Sequence, residues 1–134
     1  MTKHWHAYGY TGRSYKDGEV RAGVAPSTYP PFEIMHWLAR PARDIEETFT
    51  EIDAAVEWLR GALELHVPLG AESFTIEDRL AYARSALAQA AGSDVVYGYY
   101  SVGRLYVSRA LITCPRKRLN NFGEAPPPCP TGLV

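Results

Sequence analysis

The clearest pattern of hydrophobic and polar positions lies in the middle of the chain, over residues 44–67. Asp44, followed three residues later by Glu47, forms a capping box that is typical of a helix start. Pro68 would end the helix. Apolar side chains recur between these signals at helical spacing on one face: Ile45, Phe49, Ile52, Val56, Leu59, Leu63 and Val67. The pattern predicts a helix over 44–67.

A second helix is predicted over residues 76–91. Thr75 and Asp78 repeat the capping signal, and Gly92 is a suitable stop. The apolar positions between them again follow helical spacing: Ile76, Leu80, Ala83 and Leu87.

Alternating positions after residue 94 predict a hairpin of two strands. Gly103-Arg104 fits a two-residue turn with glycine first. Pairing outward from that turn sets Gly98 opposite Arg109, and the neighbouring pairs follow from the same register: Tyr100 with Val107 and Val96 with Leu111. Both faces of this ribbon are largely apolar or aromatic, so we expect it at the centre of a sheet or at a dimer seam.

Two further strand predictions come from the N-terminal third. Asp17-Gly18 has the composition of a tight turn, which predicts a hairpin over residues 4–25. The segment FEIMHWLA, residues 32–39, is compatible with a strand or a helical turn, and we favour the strand.

Together these elements predict an α+β fold. It has a single antiparallel sheet of four or five strands in the order β-β-(β)-α-α-β-β, with two helices packed on one face. Residues 1–115 form one domain, and residues 116–134, with a proline run and no periodicity, form an extended or disordered tail. The other face of the sheet is too aromatic to be left bare, which favours an interaction surface.

The amino-acid composition and net charge limit the classes of function expected for the chain. The chain has 134 residues and a formal net charge of −1, which makes nucleic-acid binding unlikely because phosphate contacts need a basic face. No stretch approaches a membrane span, and no signal peptide is recognised, so we expect a cytoplasmic protein. The arginine-rich, alanine-rich usage suggests a bacterial source. Cys114 and Cys129 make neither a disulfide framework nor a four-ligand zinc set, and we expect them to be bystanders with reduced thiols.

The stretch HWHAYGY raises the question of a metal site. His4 and His6 stand two apart on a predicted strand and therefore point to the same side, where both imidazoles could hold one divalent ion. Glu19 shares that face in the predicted hairpin and is the candidate third ligand. The alternative, which we favour, is that both histidines are structural and that the chain needs no cofactor.

The same histidine pattern resembles the metal-binding strand of the HUH single-strand nucleases. That resemblance implies a helix tyrosine that attacks a DNA phosphate, and Tyr82 on the second predicted helix matches that role. A metal-dependent nuclease, or a toxin-like ribonuclease, is the third-ranked function because both classes are expected to be more basic than this chain.

Arg109 interrupts an apolar strand face and is a candidate anchor for a small anionic ligand. The alternative is an internal ion pair, or a stem that packs while the guanidinium reaches water. A row of tyrosines is the companion feature, able to line a ligand pocket or simply to pack across strands: Tyr97, Tyr99, Tyr100 and Tyr106. Packing is the favoured interpretation.

Ala54, Trp58 and Leu65 fall nearly opposite the apolar stripe of the first predicted helix. Either the chain covers this second patch itself, or a partner does, since tryptophan is enriched at interface centres. The leading hypothesis is therefore a small binding protein of the accessory, immunity or mobile-element type, acting through protein contacts as a homodimer. The alternative is an enzyme or ligand binder whose pocket lies between sheet and helices, with Arg109 holding an anion.

Overall fold

The computed structural model describes residues 3–89, 93–116 and 118–132. Its α-helices and strands, in chain order, are β1 (His4–Gly12), α1 (Asp17–Arg21), β2 (Glu47–Phe49), α2 (Ile52–Leu65), α3 (Ile76–Leu87), β3 (Val95–Tyr100) and β4 (Tyr106–Cys114). Two short 3₁₀ helices, Ile34–Ala39 and Ala42–Asp44, lie between α1 and β2.

The four strands form one antiparallel sheet in the order β2-β1-β4-β3. Its centre is the pair β1 and β4, which run side by side from His4 opposite Cys114 to Gly12 opposite Tyr106. The architecture confirms the predicted α+β class, with an antiparallel sheet and two main helices packed together. The long β1–β4 ladder brings His4 next to Cys114.

One side of the sheet, which we call the helix face, is covered by α2 and α3. Alternate residues of the strands point to it because the side-chain period of a strand is two. They meet the apolar stripes of both helices in one core: Trp5, Ala7, Val95 and Leu111 from the sheet, and Val56, Leu59, Leu63, Leu80, Ala83 and Leu87 from the helices. Each buried leucine contributes about 1.5–3 kcal/mol to stability.

The opposite side, which we call the tail face, is covered by the chain itself. The 3₁₀ helix Ile34–Ala39 buries Met35, Trp37 and Leu38, and Trp37 stacks on Tyr8 with ring centroids 4.8 Å apart. Cys129 from the C-terminal segment packs against the same apolar cluster. The expectation that this aromatic face needs an outside partner is therefore wrong for its centre.

The predicted hairpin over residues 4–25 is wrong. β1 pairs instead with β2 and β4, and Asp17-Gly18 opens the short helix α1. The cause is local: the Glu19 carboxylate accepts a hydrogen bond from the backbone N–H of Lys16, which stabilises the first turn of that helix.

The segments at 32–39 and 44–67 also differ from their predictions. Residues 34–39 form a 3₁₀ helix and not a strand, and its Trp37 and Leu38 pack together against the sheet. The predicted helix begins only at Ile52, because Glu47–Phe49 adds a strand to the edge of β1. Long-range pairing overrides helical spacing there, while Val56, Leu59 and Leu63 are buried as expected.

The second helix begins as predicted, with Thr75 and Asp78 completing a reciprocal capping box. It ends at Leu87, and the expected positions 90–92 lie outside the described residues. The C-terminal hairpin forms, but its register is shifted by one residue, so Tyr97 and not Gly98 stands opposite Arg109. Such a slip exchanges the two faces of one strand relative to the other.

Candidate metal centre

His4 and His6 lie on the tail face, at the start of β1. Both side chains are buried, and their rings meet edge to face with centroids 4.8 Å apart. The alternation of a strand explains this placement, because residues two apart share a face. The prediction that the two imidazoles point to the same side is confirmed.

Two cysteines complete the cluster. Cys114 is the last residue of β4 and stands directly opposite His4 in the β1–β4 register. Cys129 comes from the C-terminal segment, and its Sγ lies 3.3 Å from His6 Nε2 and 3.5 Å from His4 Nε2. One ligand atom from each of the four residues lies within 4.8 Å of the others.

These separations suit one tetrahedral ion. Bond lengths of about 2.3 Å to sulfur and about 2.0–2.1 Å to nitrogen place the donors of a zinc site roughly 3.3–3.8 Å apart. Both distances from Cys129 to the histidines fall in that range. Two thiolates with two imidazoles are a donor set of structural zinc sites, whereas calcium and magnesium require oxygen ligands.

A contact with Thr48 of β2 orients His6. Its Nδ1 lies 2.8 Å from Thr48 Oγ1, and Thr48 stands opposite His6 on β2. A hydrogen bond at Nδ1 turns Nε2 toward the two sulfur atoms, as metal-ligating histidines require. The short strand β2 therefore has a role in the cluster as well as in the sheet.

The two thiols differ in their electrostatic surroundings. Burial, together with the neighbouring Cys129, raises the pKa of Cys114 to about 12. Burial also acts to raise the pKa of Cys129, but hydrogen bonds from Thr131, His6 and His4 outweigh it and lower that pKa to about 5. These hydrogen bonds favour the thiolate form of Cys129, the form in which cysteine binds metals.

Cys129 also borders open space. A cleft of about 530 Å³ runs between residues 38–42 and 127–130, and Cys129 forms part of its wall. Cys114 is only 1% exposed, at the far side of the cluster. The cluster is therefore reached from the side of the C-terminal segment.

Glu19, the predicted third ligand, does not belong to the cluster. It lies in α1, where its carboxylate accepts hydrogen bonds from Arg13 Nη2 at 2.8 Å and from the Lys16 backbone at 2.9 Å. The prediction failed because it depended on a hairpin that does not form. Cys114 and Cys129, expected to be bystanders, take its place beside the histidines.

Arg109 is held by neutral oxygens of the protein. Its guanidinium donates to the backbone oxygens of Tyr10 and Ser108 and to Thr11 Oγ1, at 2.8–3.1 Å. Among the residues that the structure describes, no ion pair of Arg109 is seen, and Tyr97 and Gly9 are its neighbours across the strands in place of Gly98. The hydrogen bonds account for its partners within the described fold, and anion binding by Arg109 stays a prediction.

The four predicted pocket tyrosines divide between the two faces of the sheet. On the helix face, Tyr97 donates to the Arg79 carbonyl at 2.5 Å and Tyr99 to the His66 carbonyl at 2.8 Å. Tyr100 and Tyr106 lie on the other face, with ring centroids 5.6 Å apart. The structure therefore does not bring the four together around one ligand.

The predicted interface residues of α2 have different surroundings. Trp58 is half-buried and packs against Phe49 of β2, with ring centroids 6.3 Å apart. Ala54 and Leu65 are exposed. Tyr82, the residue named by the nuclease resemblance, is exposed on α3, across the sheet from the histidine pair.

The cysteines left one weak signal in the sequence. Each precedes a proline, in TCPRK and PPCPT, and the chain has only two cysteines beside the His-x-His pair. The four donors are seen to meet only through the pairing of His4 with Cys114 and the contacts of Cys129 with both histidines.

The chain matches no protein-family model, no curated protein and no solved structure. Among the described residues, no helix has both the length and the apolar character needed to cross a bilayer. Function is therefore argued from the cluster itself.

Proposed function

We propose that this protein binds one zinc-class divalent ion through His4, His6, Cys114 and Cys129. The observation that carries the proposal is the convergence of two nitrogen and two sulfur donors within 4.8 Å, with both distances from Cys129 to the histidines suited to a tetrahedral ion. The ion would join three segments: the start of β1, the end of β4 and the C-terminal segment.

The donor set favours a structural role for the ion. Catalytic zinc keeps a coordination position open for water or substrate, whereas four protein ligands close the sphere. The buried positions of His4, His6 and Cys114 agree with a site that excludes water. Binding energy would then appear as stability of the folded state.

The C-terminal segment would gain most from the stability that the ion provides. Over 118–132 it has neither helix nor strand, and His36 bonds Glu124 at 3.0 Å in a contact that is largely exposed. Exposed pairs of this kind contribute about 0–1 kcal/mol. An ion bound to Cys129 would hold the C-terminal segment against the tail face far more firmly than this exposed pair does. We therefore propose that the ion attaches the segment to the sheet.

The direct test is metal analysis of protein purified without a histidine tag. We expect one zinc per chain by mass spectrometry of the metal. Cobalt(II) added to metal-free protein should give the absorption of tetrahedral thiolate coordination. His6→Gln should reduce both signals, while His66→Gln, a histidine outside the cluster, should leave them unchanged. Protein that neither retains zinc nor binds cobalt contradicts the proposal.

A second candidate function is protein contact with another copy of the chain. It is favoured by a group of exposed apolar side chains at one end of the molecule, which we call the end patch: Leu65, Leu69, Tyr100, Val102 and Leu105. Backbone hydrogen bonds from Leu69 to Tyr100 and from Val102 to Val67 align its two loops. Leu65 is 75% exposed, and clustered exposure of this kind is typical of interaction sites.

Sedimentation velocity at tens of micromolar tests this candidate. We expect a dimer for the wild type and a monomer for a variant carrying Leu65→Ser and Val102→Ser. Leu119→Ser changes an exposed leucine of the C-terminal segment and should leave the dimer intact. A wild-type monomer at that concentration contradicts the homodimer.

A further inference from the structure

The two cysteines of the cluster differ in solvent exposure and in the secondary structure to which they belong. Cys114 is 1% exposed and fixed at the end of β4, in the central strand pair. Cys129 is partly exposed on the wall of the 530 Å³ cleft, in a segment without helix or strand. One sulfur is therefore accessible and lies outside any helix or strand, while the other is enclosed at the end of a strand, yet their atoms lie within 4.8 Å.

From this asymmetry we propose that Cys129 is an oxidation site, at which a hydroperoxide converts the two ligand thiolates into a Cys114–Cys129 disulfide and releases the metal ion. The inference rests on the proposed zinc binding and adds a means of regulating it. Zinc has no redox chemistry of its own, so the electrons come from the sulfur ligands.

The first step occurs at the accessible sulfur. Cys129 Sγ attacks one peroxide oxygen, an S–O bond forms, the O–O bond breaks, and the departing oxygen leaves as hydroxide or alkoxide and takes a proton. The product is a sulfenic acid at Cys129, the first stage of thiol oxidation. Access through the cleft directs the oxidant to Cys129, because Cys114 is shielded by its neighbours.

The second step uses the enclosed sulfur. Cys114 Sγ attacks Cys129 Sγ, the S–S bond forms, the S–O bond breaks, and hydroxide leaves and is protonated to water. Two thiolates have then lost two electrons, and the hydroperoxide with two protons has gained them. His4 and His6 alone remain as ligands, too few to hold the ion firmly.

The geometry permits this second step. A disulfide requires an S–S distance of about 2.05 Å, so the sulfur atoms must approach from within 4.8 Å. Cys114 is held by strand pairing, whereas Cys129 belongs to a segment that no strand pairing restrains. Movement of Cys129 alone therefore closes the bond.

The test treats the zinc-loaded full chain with stoichiometric hydrogen peroxide and measures free zinc with a chromophoric chelator. We expect one zinc released for two thiols lost, with a mass decrease of two hydrogens in the monomer. A thiol reductant and added zinc should restore the starting state. In Cys114→Ala, dimedone should label Cys129 as the trapped sulfenic acid, and Cys129→Ala should not be labelled.

Three results overturn the inference: zinc that is retained while the thiols stay reduced, sulfinic acids in place of a disulfide, or a disulfide between two chains. Each leaves the proposed zinc binding intact, because the loaded protein is the starting material. Wild-type protein that takes up no zinc before any oxidant is added overturns the proposed function and this inference with it. The wild-type stoichiometry decides the matter even if either alanine variant fails to fold.

Discussion

The two faces of the sheet are held together by different physical means. On the helix face, two amphipathic helices bring aliphatic side chains such as Leu59, Leu63 and Leu87 against the strands, and all three are fully buried. On the tail face, a 3₁₀ helix and an extended segment cover a smaller apolar cluster, beside the cluster of two histidines and two cysteines. The helix face depends on buried area, and under the proposed zinc binding the tail face would depend also on a bound ion.

The two faces show two ways in which a short chain can cover both sides of a sheet. A helix buries much apolar surface per residue, so it needs no additional attachment to the sheet. Irregular segments bury less apolar surface. Ordering them costs about 1–2 kcal/mol per residue in conformational entropy, and other interactions must offset that cost. The proposed metal ion would supply that stabilisation at a single point.

The largest effect is expected from Leu63→Ala, because this side chain is fully buried in the helix face. We expect a loss of about 4 kcal/mol in the free energy of unfolding, measured by urea denaturation, and the same loss with or without zinc. Leu65→Ala, two positions on in α2 but exposed, should change stability by less than about 0.5 kcal/mol. A loss at Leu63 that depends on zinc would mean that the two faces do not act separately.

The next effect is the zinc dependence of stability itself. Free zinc at 100 times its dissociation constant should stabilise the folded chain by about 2.7 kcal/mol, because the ion binds the folded state. The same denaturation with a chelator gives the metal-free reference. Cys129→Ser should abolish most of the difference, whereas a serine variant that kept it would show that the ion binds elsewhere.

Thr48→Val should weaken metal binding without removing a ligand. The change deletes the 2.8 Å contact that orients His6, and outer-shell losses of this kind reduce metal affinity about 10–100-fold. Competition with a chelator of known affinity measures the effect. Thr50→Val, an exposed threonine beyond β2, is the matched control and should leave the affinity unchanged. Equal metal affinities for the wild type and Thr48→Val would show that β2 does not contribute to metal binding.

The smallest effect is expected at Tyr8, in the centre of the tail face. Its hydroxyl is buried without a hydrogen-bond partner among the described residues, and burial raises the pKa of the phenol well above its usual value. Tyr8→Phe removes that unsatisfied group and should stabilise the chain by about 1 kcal/mol in thermal denaturation. Tyr10→Phe loses a 2.7 Å hydrogen bond to the Arg13 carbonyl and should be neutral or slightly destabilising. Destabilisation by Tyr8→Phe would indicate a bound water at the hydroxyl.

Much of the fold was predictable wherever the decisive interactions are local. The Thr75–Asp78 cap located α3, and the stripe through Val56, Leu59 and Leu63 located the core of α2. Predictions were wrong where distant segments compete with local pattern. Glu47–Phe49 continues the helical spacing but gains more by pairing with β1. The Asp17-Gly18 turn prediction failed for a local reason, because the capping contact of Glu19 stabilises a helix start there.

The candidate site was half predictable for the same reason. Alternation along one strand is enough to place His4 and His6 on the same side. The cysteines become visible as ligands only through the β1–β4 register, which brings Cys114 opposite His4 from more than a hundred positions away, and through the return of the C-terminal segment. No local spacing encodes either event, so the sequence offered Glu19 in their place.

The position of the cluster along the chain has a mechanical consequence. His4 and Cys129 are 125 positions apart. An ion bound to both would therefore join the first and last parts of the described fold. A force applied to either end, or an exopeptidase working inward from it, would meet the coordination bonds before it met the hydrogen-bonded ladder of β1 and β4. Fraying, which usually begins at termini, would then be governed by the supply of metal and not by the strength of the sheet.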